Sequence, residues 1–247
     1  MAVPKFGIGA SALRKEDVAL LKGEGRFSDD IRAEDALHGI VLRAQHAHAT
    51  FRIFSVEAAR AMPGVRLILT AADIGHLGTV PCKQIVRQPD GSLHDKREQP
   101  VLCLDTARHA GDGVAFIVAD SREQAEDAAE FIEIDWQGHA AHVDLATALD
   151  ADVPRVWPER SSNLAFRYHK GDRAATEAAF AWAAHVTDLT VVNNRLISNY
   201  LEPRAAIGRY DASTDRYLLQ APSQGVHSLR NILAKDIFHV DPEQVDV

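Results

Sequence analysis

GVAFIVADSREQAEDAAEFIEIDW (113–136) changes hydrophobic period twice within 24 residues, and this decides the fold class. Gly113 to Ala119 is a near-continuous apolar run, as expected for a buried strand. Ser121 followed by Gln124 has the spacing of a capping box, which satisfies the first amides of a helix. Ala125, Ala128, Ala129 and Ile132 then recur at helical spacing. The small alanines imply close packing of that helix on a sheet. From Phe131 to Trp136 the period drops to two: Ile132, Ile134 and Trp136 alternate with Phe131, Glu133 and Asp135, which suits a half-buried strand. Strand, helix and strand in series predict an α/β unit ending near residue 140.

Working outward toward the N-terminus, Leu37 to Arg43 reads as a short strand. Ser55 to Met62 reads as a helix with Ser55 as its N-cap and Pro63-Gly64 as its stop. Val65 to Leu69 is a further strand, after which Thr70 caps a short helical turn. A helical candidate lies at Lys15 to Leu21, followed by turns at Gly23, Gly25 and Ser28-Asp29-Asp30. Residues 75–110 sustain no period and read as a surface excursion. Past 140, Pro154, Pro158 and Ser161-Ser162-Asn163 mark a linker between two domains. Asp172 then opens a helix over Ala174–Ala184, and His185 to Val192 alternates like a strand. Tyr210 to Arg216 is a turn between strands, and Pro222 ends the strand that reaches Gln220. Val226, Leu229, Leu233 and Ile237 mark one face of a helix over 225–238.

The chain has 247 residues, 46% hydrophobic and 25% charged, with a formal net charge of −8. That acidic balance argues against a nucleic-acid partner, which leaves a basic footprint. No apolar run reaches membrane-span length, and the first residues lack the apolar core of a secretory signal, so a cytoplasmic location is expected. Cys82 and Cys103 form no CxxC motif or iron–sulfur set, and are read as a reduced pair.

Candidate chemistry concentrates at Ser223-Gln224-Gly225, where a strand hands over to a helix. The first helix amides there lack internal partners and favour an anionic neighbour. The neutral Gln224 amide offers two donors and one acceptor for an oxo or phosphate oxygen. Helix capping explains a Ser or Gln at such a junction equally well. Glu202 and Arg204 flank Pro203 at i, i+2, so in extended backbone they share a face and can pair, a structural ion pair before a catalytic one. Asn193, Asn194 and Asn199 are further donors in the same region. His46 with His48, and His139 with His142, have chelating spacing but no third ligand nearby, so no metal site is assigned.

The ordered set LRKEDVALLKGEGRFSDDI (13–31), LHGIVLRAQHAHA (37–49), AMPGV (61–65), GDGVAFIVADSREQAEDAAEFIEIDW (111–136), NLAF (163–166), KGD (170–172), NNRLISNYLEPRAA (193–206) and PSQGVH (222–227) resembles the molybdenum-binding large subunit of the xanthine oxidase family. Within it, the set is most similar to the aerobic carbon monoxide dehydrogenase large-subunit branch. The resemblance implies an N-terminal tail (1–20), a hammerhead-like α/β domain (21–142) and the first part of a molybdopterin-binding α+β domain (143–247). It implies a molybdopterin-type molybdenum cofactor contacted by Ser223, Gln224 and Gly225, with Glu202 and Arg204 behind them. In that family the glutamine at the position of Gln224 donates a hydrogen bond to an oxo ligand of the metal. Iron–sulfur clusters and FAD are implied on partner polypeptides, together with the remainder of the molybdenum subunit, in a hetero-oligomer.

The implied function is a portion of a molybdenum hydroxylase large subunit, acting on carbon monoxide, an aldehyde, a purine or another heterocycle. The alternative is a non-catalytic truncated or split-gene subunit that serves assembly. Two departures from the family stand out. Gly111-Asp112-Gly113 replaces the usual Gly-Glu/Asp-Pro, and the glycine-rich cofactor segment and catalytic glutamate expected further along are absent from these 247 residues. The chain by itself is therefore expected to be inactive.

Overall fold

The computed structural model describes residues 7–8, 10–194 and 196–247. In chain order it forms α1 (Asp17–Leu21), β1 (His38–Arg43), β2 (Ala49–Ser55), α2 (Glu57–Arg60), β3 (Val65–Thr70), β4 (Thr79–Val80), β5 (Gln99–Pro100), β6 (Thr106–Ala107), β7 (Gly113–Ala119), α3 (Arg122–Glu130) and β8 (Glu133–Gly138). There follow α4 (Arg173–Trp182), β9 (Ile207–Asp211), β10 (Arg216–Gln220), α5 (Val226–Asn231), a π-helical segment (Ile232–Phe238) and β11 (Val245–Asp246). No helix among the described residues is long and apolar enough to cross a membrane.

The run 113–119 is central because β7 lies between β1 and β3, antiparallel to both. Its near-continuous apolar character has a direct cause: both of its faces are covered. Ala115, Ile117 and Ala119 point into a core with Ile68 of β3, Ala59 of α2 and Ala125 and Ala128 of α3. Val114, on the opposite face, joins a second core with Ala44, Phe51, Cys103 and Ala107. Alanines on both strand and helix let α3 lie close to the sheet, as their spacing predicts. Gly39 serves a similar end on β1, since a Cβ there would stand 2.5 Å from the Phe116 ring.

The second sheet runs β6-β2-β8, again antiparallel, with Phe51 opposite Trp136 and Ile53 opposite Ile134. The α/β unit is thus built on antiparallel sheets: β7–α3–β8 carries the chain from one sheet to the other, not into a parallel neighbour. The sequence reading assigns no strand to 49–55, although Ala49, Phe51 and Ile53 alternate there. The helix expected from Ser55 is shorter, with Val56 at the N-cap and Ser55 Oγ accepting from the Glu57 amide at 3.1 Å. Thr70 ends β3 and is followed by hydrogen-bonded turns instead of a helix; Asp73 accepts from its amide and hydroxyl at 2.7 and 2.8 Å. Part of the 75–110 excursion is buried, since Leu102, Cys103 and Ala107 reach the core.

Ser121 is the N-cap of α3, its Oγ accepting from the Gln124 amide at 3.2 Å. The Gln124 side chain does not complete a reciprocal box; its Oε1 is buried without a partner. It packs where Gly64, at φ +80°, leaves no room for a Cβ. Ser121→Ala is expected to cost about 1 kcal/mol, read as a lowered urea midpoint with unchanged slope.

The C-terminal third is more open. Asp172 caps α4 through the Ala175 amide at 2.9 Å, but α4 has no buried residue. Residues 185–192 form no strand, contrary to the alternation of His185 to Val192, and Leu189 is 83% exposed. A strand needs a neighbour to take up its amides and carbonyls, and among the described residues none pairs with this segment. The hairpin β9–β10 forms as its turn chemistry predicts, with Asp211 accepting from Ser213 and Thr214. Those hydrogen bonds hold the Asp211 carboxyl at about 2. β11 adds in parallel to β10. Tyr217 stacks between Tyr210 and Phe238, centroids 4.9 Å apart on each side.

The helix after Gly225 changes type at Ile232. In the π-helical turn the period lengthens, so Ala234 is buried beside Ile237 of the expected apolar stripe; Leu229 and Leu233 are half-buried, and Val226 is 46% exposed. This segment docks on the start of β4. The Gly78 amide donates to Ile237 O at 2.8 Å, and Lys83 pairs with Asp236 at 2.9 Å. A Cβ on Gly78 would fall 1.8 Å from Asp236 O, so only glycine permits this approach.

Candidate functional site

β10 ends at Gln220, and Pro222 keeps the next residues out of the ladder. Ser223 Oγ then accepts from the Gly225 amide at 3.0 Å, a tight local turn that delivers the chain to α5. Gly225 is the N-cap, and its carbonyl accepts from the Leu229 amide at 3.0 Å and from Ser228 Oγ at 2.8 Å. A Cβ on Gly225 would meet that hydroxyl at 2.8 Å. Ser223 and Gly225 are therefore committed to building the junction. Gln224 between them is exposed, and among the described residues its side-chain amide has no hydrogen-bond partner.

Glu202 and Arg204 do not pair; each has a separate partner. Glu202 Oε1 accepts from the Ser28 amide and hydroxyl, both at 3.4 Å. Arg204 Nε donates to Tyr200 Oη, with the guanidinium 5.6 Å from that ring. The i, i+2 geometry permits an ion pair, but Ser28 takes up the Glu202 carboxylate and Tyr200 the Arg204 guanidinium instead. No hydrogen bond or ion pair joins either residue to 223–225 among the described residues. Asn193, Asn194 and Asn199 lie exposed in the extended segment before β9.

The histidines pair differently from their spacing in sequence. His46 lies against Trp136 at 5.0 Å, and His142 bonds Thr147 Oγ1 at 2.9 Å. His48 instead meets His139, edge to face at 5.2 Å. That encounter depends on β2 pairing with β8, so it is invisible without β2. Among the described residues no group of three or more His, Cys, Asp or Glu could hold a metal ion. Both cysteines are free; Cys82 is exposed, and burial, then Asp112, pushes the Cys103 thiol up to about 11.

Comparisons with known proteins bear on this architecture directly. Residues 22–140 match the a/b hammerhead domain of aldehyde oxidase and xanthine dehydrogenase, and residues 156–247 match the molybdopterin cofactor-binding domain. The chain belongs to the xanthine oxidase and carbon monoxide dehydrogenase family of molybdopterin oxidoreductase large subunits. It is 32% identical to subunit gamma of the 6-hydroxypseudooxynicotine dehydrogenase complex of Paenarthrobacter nicotinovorans, over 92% of this chain and 28% of that one. It is 28% identical to the carbon monoxide dehydrogenase large chain of Afipia carboxidovorans, over 92% of this chain and 29% of that one. Among solved structures, quinoline 2-oxidoreductase from Pseudomonas putida 86 superposes with a TM-score of 0.81 at 29% identity, covering 99% of this chain and 30% of that one. The chain thus spans under a third of the length of these relatives. In this family's terms it is a hammerhead-like α/β domain followed by part of a molybdopterin-binding α+β domain.

Proposed function

We propose that this chain forms one wall of the molybdopterin site of a molybdenum hydroxylase large subunit, with Gln224 as the donor that faces the cofactor. The observation that carries this reading is the state of Gln224: an exposed amide without an internal partner, presented by a junction that Ser223 and Gly225 hold through their own hydrogen bonds. The donor set fits such a group. A neutral amide can meet an anionic oxygen without bringing a counter-charge, and the compact Ser223–Gly225 turn leaves it unobstructed. When bound, a molybdenum pterin supplies two-electron oxidation with oxygen drawn from water. Gln224 orients one face of it; Glu202 and Arg204 stabilise the neighbouring loop through Ser28 and Tyr200.

Partners follow from the surface. Trp182 and Leu201 are each 89% exposed, and the apolar residues between them are open as well. A patch of this kind marks an interaction surface. The occupant we assign is the remainder of the large-subunit fold, since this chain spans 28–30% of its relatives. Iron–sulfur and flavin subunits would complete the electron path, and the substrate class is carbon monoxide, an aldehyde or a heterocycle. Metal and pterin analysis of the native assembly containing this chain tests the proposal. Stoichiometric molybdenum and pterin are expected; an assembly that carries neither overturns it and favours a purely structural role.

A further inference from the structure

Away from the 223–225 junction, a cleft of about 300 Å³ opens where β2, β6 and β8 meet the segment around Arg155. Its functional lining is His48, Thr50, Thr106, Arg108, His139 and Arg155, and no Asp or Glu lines it. Sheet register assembles it. Ala49 lies opposite Gly138, which brings His48 beside His139, and Thr50 lies opposite Thr106. A 3.1 Å hydrogen bond between Thr50 Oγ1 and His139 Nε2 fixes that imidazole.

The two arginines are pre-positioned but uncompensated. The Arg108 guanidinium stacks 4.0 Å over Trp157, whose ring also lies against Arg97 at 4.7 Å. Arg108 Nε is buried with no hydrogen-bond partner among the described residues. Arg155 donates to the Arg160 carbonyl at 2.9 Å. The carboxylates that border it each have a partner of their own. Asp95 and Glu159 pair with Arg97 and Asp95 also with Arg160. Asp105 accepts from Thr106 Oγ1, and Asp112 accepts from the Arg108 and His109 amides. Among the described residues neither Arg108 nor Arg155 forms an ion pair. In a protein of net charge −8, the recess presents two guanidinium groups that have no ion-pair partner among the described residues. A stacked arginine with a free fork is suited to a tetrahedral oxyanion, and the volume is at the small end of ligand sites.

We propose that this cleft binds a phosphate group, free or carried on a small molecule, through the guanidinium groups of Arg108 and Arg155, with the imidazoles of His48 and His139 beside them. The inference is independent of the cofactor wall. It is tested by calorimetric titration of the full chain at fixed sodium chloride, with inorganic phosphate in one arm and glycerol 3-phosphate in the other. Saturable one-to-one binding is expected in at least one arm. Arg155→Gln, at an exposed position, and Arg108→Gln are each expected to weaken it tenfold or more, whereas Arg209→Gln on the distant hairpin leaves it unchanged. Thermal melts by circular dichroism confirm that each variant is folded. Tighter binding of glycerol 3-phosphate assigns a phosphomonoester, and tighter binding of inorganic phosphate assigns the free ion. Absence of saturation in both arms, or an affinity unchanged in folded Arg155→Gln, overturns the proposal.

Discussion

Gln224→Ala, introduced into the complete enzyme, is expected to lower turnover by about a hundredfold while leaving the fold intact. The magnitude is that of removing one oriented hydrogen-bond donor from a preorganised site. The fold is spared because Gln224 is exposed and its side chain takes no part in the turn: the local hydrogen bonds belong to Ser223, Gly225 and Ser228. Gln224→Glu is expected to be at least as damaging, since a nearly isosteric side chain then brings a negative charge to an anionic group. Turnover, cofactor content and thermal midpoint measured together separate the explanations. Folded, loaded and slow variants support the role assigned to Gln224. Parental turnover in both variants would reduce it to a surface residue at a helix end, and unfolding of both would make its role structural.

Ile117→Ala should be the most destabilising single truncation in the first core, by about 2–5 kcal/mol. Ile117 is fully buried in the central strand, opposite Ile40 on β1 and Ile68 on β3. Its removal opens a cavity that three elements border, and α3 is already held close by alanines with nothing to extend into the void. Leu67→Ala provides the contrast, because Leu67 is 46% exposed on the edge strand β3 and should cost under about 1 kcal/mol. Urea unfolding of the two variants checks the difference; equal midpoints would mean that β7 is not the centre of the cooperative unit.

The elements legible in the sequence are those whose burial is decided locally. β7 reads as a strand because both of its faces are covered, and α3 reads as a helix because Ser121 caps it and its alanines share one face. The junction at 223–225 is legible for the same reason: Pro222 stops the strand, and a new period starts at Val226. What escapes is decided by distant partners. β2 is a real strand because β6 and β8 pair with it, whereas 185–192, with comparable alternation, has no pairing strand among the described residues and forms none. The π-helical turn adds Ala234 to the buried end of the expected stripe, beside Ile237, where the segment meets β4. Glu202 and Arg204 look like a pair at i, i+2, yet Ser28 and Tyr200 claim them. The phosphate-binding cleft has no contiguous signature, since its residues come from four stretches brought together by strand register.

The seat of the C-terminal helix on Gly78 also sets an order of events during synthesis. The hydrogen bond from the Gly78 amide to Ile237 O joins two stretches far apart in sequence. Closing so long a loop costs entropy before any contact rewards it. Domains emerging from the ribosome fold from the N-terminus first, so the sheet around β7 can be complete while residues 225–238 are still being made. The glycine notch at Gly78 is then made before the segment it receives, and residues 225–238 are held there only once they have docked.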